Sequence, residues 1–160
     1  MTSMRAIVLE GPRKVRVQQV PVPIIDSNQI LIQVKRCGIC GSDLHAYARG
    51  ARNVVSEIPF AGGHELAGIV ADVGSAVSGF DIGDHVAFEP VESCGRCEMC
   101  KTGLVQNCND RKLIKQGLAE YIAVSPSRLH LLPENLSWAE AALTEPLAVV
   151  IHAVREASVH

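Results

Sequence analysis

The chain has 160 residues, 48% hydrophobic and 20% charged, which is enough apolar material for one domain with a sizeable core and too much for a disordered segment. Fifteen Lys and Arg stand against 17 Asp and Glu, for a net charge of -2, and aromatic residues make up 4%. A nucleic-acid or membrane-surface binder needs a basic excess, and a base-stacking platform needs more rings, so these classes are excluded as expectations.

In chain order, apolar alternation appears first at Ala6 and Val8 and again at Val15 and Val17, two short strands around the Gly11-Pro12 turn. Pro21, Pro23 and the Asp26-Ser27-Asn28 turn separate this hairpin from a third strand over 29–35. Further strands are predicted over 66–73, ended by Gly74, and over 85–88 after the Gly83-Asp84 turn. The last two lie over 119–124 and 128–132. Helical signal gathers at the end. Ser137 with Glu140 three residues on forms a capping box. Pro146 suits the first turn of a second helix. Many short strands at close spacing predict a mainly β domain, a barrel or sandwich, with short C-terminal helices.

No apolar run approaches the roughly 18 residues of a membrane span. The opening MTSMRAIVLEG lacks the apolar stretch of a secretory signal, so a cytoplasmic protein is expected. That bears on the six cysteines. Four of them follow the pattern Cys94-x2-Cys97-x2-Cys100-x7-Cys108. In a reducing compartment such a cluster holds metal more often than disulfides. Four thiolates at short spacing wrap one tetrahedral zinc and leave no ligand position free, the pattern of a structural site in a lobe over 92–110. A pair of disulfides and an iron–sulfur cluster are the alternatives.

A second constellation is scattered: Cys40 within Cys37-Gly-Ile-Cys-Gly-Ser-Asp-Leu-His45, His64 and Glu65 after the Gly62-Gly63 pair, and Glu145 at a helix start. Thiolate, imidazole and carboxylate are all zinc ligands. One of each neutralises the ion and leaves a position open for water or a substrate oxygen, which suits Lewis-acid chemistry. Cys37 reads as a small buried residue, and a Cys37/Cys40 redox pair is disfavoured for want of a thioredoxin-like context. His85, His130 and His152 read as core or surface histidines.

Taken together, GICGSDLH (38–45), AGGHELAGIV (61–70), GDHVAFEP (83–90), the cysteine lobe, AEYIAV (119–124) and TEPLAV (144–149) resemble the zinc-dependent medium-chain alcohol dehydrogenase family, over essentially the whole chain. The resemblance implies a GroES-like, partly open barrel as a catalytic domain over 1–145. It implies a helix over 146–160 leading toward a nucleotide-binding domain. It implies that Cys40 and His64 hold a catalytic zinc, with Glu65 as third ligand and Glu145 close by, as in the polyol and threonine dehydrogenase branch. Ser42 and His45 match the family's proton-relay positions, and Asp43 is expected to support the ligand loop. The implied reaction is hydride transfer from a small-molecule secondary alcohol, a polyol or hydroxy amino acid, to NAD(P), with the proton leaving through Ser42 and His45.

The nicotinamide site does not appear. A dinucleotide fold needs a glycine fingerprint, and no two glycines here are separated by a single residue. The chain is therefore expected to be an N-terminal part or a truncated homologue, able to bind zinc but not to turn over alone. An exposed barrel edge leaves room for a homo-oligomer. The segment between Cys108 and Gly117 looks shorter than the family's usual loop, which leaves the local pocket wall open. Two other readings compete: a zinc-stabilised docking module without catalysis, and a zinc module for nucleic acid. The open Cys40/His64/Glu65 set argues against the first, and the charge balance around the lobe against the second.

Overall fold

The computed structural model describes residues 3–50, 62–114 and 116–157. Ala61 of the AGGHELAGIV motif, the loop before it, Lys115 and the last three residues lie outside the described set. The architecture is mainly β, as expected from the strand spacing. Strands β1 (Ser3–Gly11) and β2 (Lys14–Pro21) form an antiparallel hairpin. Met4, Ala6 and Val8 on β1 point inward, in step with the period of two. On β2 the alternation misleads: Val15 and Val17 are exposed, and Val20 is the buried residue.

The main sheet is five-stranded and antiparallel throughout. Its order is β8 (Tyr121–Val124), β3 (Ile30–Cys37), β4 (Leu66–Val73), β5 (His85–Phe88) and β9 (Leu129–Leu131). The bounds predicted for β4 and β5 agree with those observed; β8 and β9 are shorter by a residue or two at their ends. The hairpin joins this sheet through the segment before β8. Ile7 N–H donates to the Leu118 carbonyl at 2.9 Å and Glu120 N–H to the Arg5 carbonyl at 3.1 Å. The Arg5 guanidinium grips the Glu120 carboxylate at 2.7 Å. The strand path thus runs from β2 through β1 and β8 to β9. Among the described residues β2 and β9 do not pair, so the barrel stays open.

Inside the sheet, Ile30, Ile32, Leu66, Val70, Val86, Phe88, Ile122, Val124 and Leu129 form one apolar cluster. Burying each of these side chains stabilises the fold by about 1.5–3 kcal/mol. Two short strands, β6 (Val91–Glu92) and β7 (Lys112–Leu113), pair at the base of the cysteine lobe. Four helices complete the chain: α1 (Gly41–Arg49), α2 (Glu98–Lys101), α3 (Trp138–Ala142) and α4 (Thr144–Glu156). The capping box read at Ser137 forms as expected. Its Oγ accepts from Glu140 N–H at 3.3 Å, and the Glu140 carboxylate accepts from Ser137 N–H at 2.9 Å. Ala141 and Ala142 of α3 are buried, whereas α4 buries none of its side chains. Among the described residues no helix is long and apolar enough to cross a membrane.

Ile32 is fully enclosed at the centre of the sheet. Ile32→Ala is expected to lower stability by about 2–5 kcal/mol. The check is urea unfolding, where the midpoint falls and the slope stays.

Candidate metal centres

The scattered constellation is assembled where β3 ends and β4 begins. The last ladder pair sets Cys37 opposite Leu66, and Gly38 N–H donates to the Glu65 carbonyl at 2.7 Å. That register brings the chain leading to Cys40 alongside His64 and Glu65. Immediately after Cys40 the chain turns into α1, a helix not read from the sequence. Its start is fixed by Asp43. One oxygen of Asp43 accepts from Cys40 N–H at 3.0 Å, as the third helical residue does in a capping box. The other oxygen accepts from Gly63 N–H at 3.1 Å, twenty positions along the chain. Asp43 is buried, and a buried carboxylate needs such donors. It links the Cys40 segment to the segment of His64 and Glu65.

The turn before His64 depends on glycine. Gly63 has φ +74°, and a Cβ there would sit 2.7 Å from Cys37 Sγ and 2.9 Å from Leu118 N. From the far side, Gly117 N–H donates to the Gly63 carbonyl at 3.0 Å and Leu118 N–H to the Gly62 carbonyl at 3.2 Å. The segment after the short Cys108–Gly117 connection therefore braces the ligand turn.

The donor atoms of Cys40, His64 and Glu65 all lie within 4.8 Å of one another. His64 is buried, and its Nδ1 has no hydrogen-bond partner among the described residues. A buried ring nitrogen without a partner is costly unless something occupies it. A donor set of thiolate, imidazole and carboxylate carries two negative charges and so fits a divalent zinc ion. Glu145, in the first turn of α4, is not one of these three, but it feels them. Burial raises its carboxyl above the ordinary value and the Glu65 charge raises it further, while His64 pulls it down. Ser42 is half-buried and His45 exposed. They stand three positions apart on α1 and so share one face of it.

Cys37 is half-buried rather than enclosed, with Sγ donating to the Gly38 carbonyl at 3.3 Å. Burial first, then the Asp43 and Glu65 charges, push its thiol up to about 12. It is unbridged and stays protonated near neutral pH. His85 is half-buried and stacks on Trp138 with ring centroids 4.3 Å apart; His130 lies 3.5 Å from Glu89 on the surface, and His152 is exposed.

The four-cysteine cluster is local. Cys94, Cys97, Cys100 and Cys108 converge with their sulfurs within 4.8 Å of one another. Cys97 Sγ is 3.5 Å from Cys100 Sγ and 3.9 Å from Cys108 Sγ, and Cys94 Sγ is 3.9 Å from Cys100 Sγ. A disulfide requires about 2.05 Å, so none is present, and all six cysteines are free. Sulfurs on a tetrahedron with Zn–S of about 2.3 Å lie roughly 3.8 Å apart, so the spacing fits that ion. Backbone N–H groups aim at the sulfurs: Cys97 N–H donates to Cys94 Sγ and Cys94 N–H to Cys108 Sγ, both at 3.3 Å. The N–H groups of Arg96 and Cys97 bring the Cys94 thiol down to about 6, whereas desolvation and its neighbouring thiols push Cys100 up to about 11. Four thiolates this close repel one another, and a bound cation would offset that repulsion.

A mainly antiparallel sheet with one mixed and one all-sulfur donor cluster defines a β domain with two candidate metal centres. Comparison with known proteins makes this particular. Residues 26–134 match the family model of the alcohol dehydrogenase GroES-like domain, and the chain belongs to that family. It is 44% identical over 157 residues to sorbitol dehydrogenase of Bacillus subtilis (strain 168), covering 94% of this chain and 44% of that protein. Among solved structures it matches galactitol-1-phosphate dehydrogenase from Escherichia coli with a TM-score of 0.90 at 29% identity, covering 97% of this chain and 45% of that one. It matches 2R,3R-butanediol dehydrogenase from Bacillus subtilis with a TM-score of 0.84 at 31% identity, covering 95% and 47%. The chain spans about half the length of the curated relatives it matches.

Two outcomes follow from the geometry. Asp43→Asn turns one acceptor into a donor facing a backbone N–H, so metal affinity at the mixed cluster falls about 10–100-fold. Competition against a chelating dye reads this, with the cysteine quartet keeping its ion as internal control. Cys97→Ser removes the quartet's ion and loosens the lobe; limited proteolysis then cuts within 92–110 while the main sheet resists.

Proposed function

We propose that this chain is the metal-binding part of a zinc-dependent dehydrogenase that oxidises a secondary alcohol, of the polyol or hydroxy amino acid class, with NAD(P) as hydride acceptor. The observation that carries it is the mixed cluster. Cys40, His64 and Glu65 offer three different donors within 4.8 Å, a set whose two negative charges balance a divalent ion and which leaves one tetrahedral position to spare. A docking module has no use for such a position. The polyol reading draws support from the names of the relatives, which act on sorbitol, galactitol-1-phosphate and 2R,3R-butanediol. It also draws on a carboxylate at 145.

In this reading Cys40, His64 and Glu65 hold the catalytic ion, and Cys94, Cys97, Cys100 and Cys108 hold a structural one. The catalytic ion, when bound, polarises the substrate hydroxyl and eases loss of its proton. The chain's own residues then manage that proton. Ser42 Oγ receives it from the substrate, and the His45 imidazole, exposed on the same face of α1, takes it onward to water. Glu145, its carboxyl raised above the ordinary value by burial, borders the site. The sequence contains no G-x-G, so the nicotinamide is assigned to residues beyond these 160, and the isolated chain is inactive.

Metal analysis and activity of the purified chain test this. The expected result is zinc at both clusters, loss of one ion on Cys40→Ser, and no NAD-dependent alcohol oxidation. Less than one zinc per chain, with all thiols paired in disulfides, would remove the metal reading; robust turnover would overturn the assignment of the cofactor site. In a longer form carrying a nucleotide-binding domain, Ser42→Ala slows oxidation at least about 100-fold with zinc content unchanged. Steady-state kinetics beside metal analysis checks it.

A further inference from the structure

Gly38 sits one residue past β3, opposite Glu65, with its N–H bonded to the Glu65 carbonyl at 2.7 Å. Glycine is not needed there for its backbone, because Gly38 is absent from the positive-φ residues. It is needed for room. A Cβ on Gly38 would overlap Glu65 Oε2 and stand 3.1 Å from Glu65 Cβ and 3.3 Å from Glu65 Cδ. The three nearest atoms all belong to one side chain, and the worst of the crowding falls on its flexible end. Gly41, next to Cys40 on the other side, is the contrast: a Cβ there meets nothing within 4 Å.

We infer that Gly38 is a positioning residue for the mixed cluster, its missing side chain being the space in which the Glu65 carboxylate folds back beside Cys40 and His64. This rests on the metal reading above. The backbone at 38 and 65 is pinned by the strand pairing, so an added methyl is relieved by rotating the Glu65 side chain. The carboxylate then leaves the 4.8 Å cluster. The fold is spared, and the site drops from three donors to two. With a divalent ion it also loses neutrality. Gly38 acts wholly through Glu65, so its effect vanishes when Glu65 has no carboxylate to displace.

The test is a double-mutant cycle read by Co2+ titration, following the visible absorption of the mixed cluster in the chain as it stands. Gly38→Ala and Glu65→Ala are each expected to weaken Co2+ binding about 10–100-fold. The Gly38→Ala/Glu65→Ala double variant is expected to bind within about twofold of Glu65→Ala alone. Gly41→Ala stays within about twofold of the parent. Far-UV circular dichroism and an unchanged urea midpoint report that each variant keeps the main sheet folded. Parent-like Co2+ affinity in Gly38→Ala, or full additivity of the two single losses, overturns the inference while leaving the metal reading in place. If Cys40→Ser has no effect on Co2+ binding by the parent chain, both are overturned.

Discussion

The Asp43 carboxylate is the constraint on which the mixed cluster depends. Its two oxygens hold two backbone N–H groups, one at Cys40 and one at Gly63, each at or beside a donor residue. A single buried anion therefore sets the distance between a thiolate from one loop and an imidazole from another. The anion is in turn stabilised by where it sits: N–H donors on both oxygens and the positive end of α1 around it. Helix start, glycine turn and ligand spacing are one electrostatic arrangement.

The two clusters solve the same chemical problem in opposite ways. The cysteine quartet is drawn from fifteen consecutive positions, closed by tight turns and backbone N–H groups aimed at sulfur. It needs little from the rest of the fold. The mixed cluster needs nearly all of it: the β3–β4 register, the Gly62–Gly63 turn, the 117–118 brace and the first turns of α1 and α4. The local cluster is closed to further ligands by its count of thiolates. The assembled one offers three donors, with Glu145 close enough to feel the charges of His64 and Glu65.

How much of this was legible in the sequence follows the same division. The quartet could be read from spacing alone, and β4, β5 and the Ser137 capping box from alternation and cap chemistry. Helix α1 could not. Its N-cap is a cysteine, and the one residue it buries is an aspartate, so it carries no apolar stripe to announce it. The signal that was present is Asp43 three positions after Cys40, a capping box with sulfur where serine normally stands. Val15 and Val17 alternate like half-buried residues but face solvent, because β2 contributes to the core only at its far end, through Val20. The tie between 117–118 and the ligand turn is made by backbone groups alone, which leave no mark on residue type. The trio of donors was readable as a scattered set of zinc-ligand types, and the family resemblance then gave each a role; their convergence is a property of strand register.

The sheet and the lobe also draw their cohesion from different chemistry. The sheet is held by enclosed aliphatic side chains, whereas α2 buries none, and the buried residue of the lobe is Cys108. Peroxide or a strong chelator attacks sulfur and metal, leaving hydrocarbon packing untouched. The molecule is thus a hydrocarbon-packed sheet bearing a lobe whose cohesion rests on sulfur, and loss of the four lobe thiols loosens the lobe while the sheet's aliphatic packing remains.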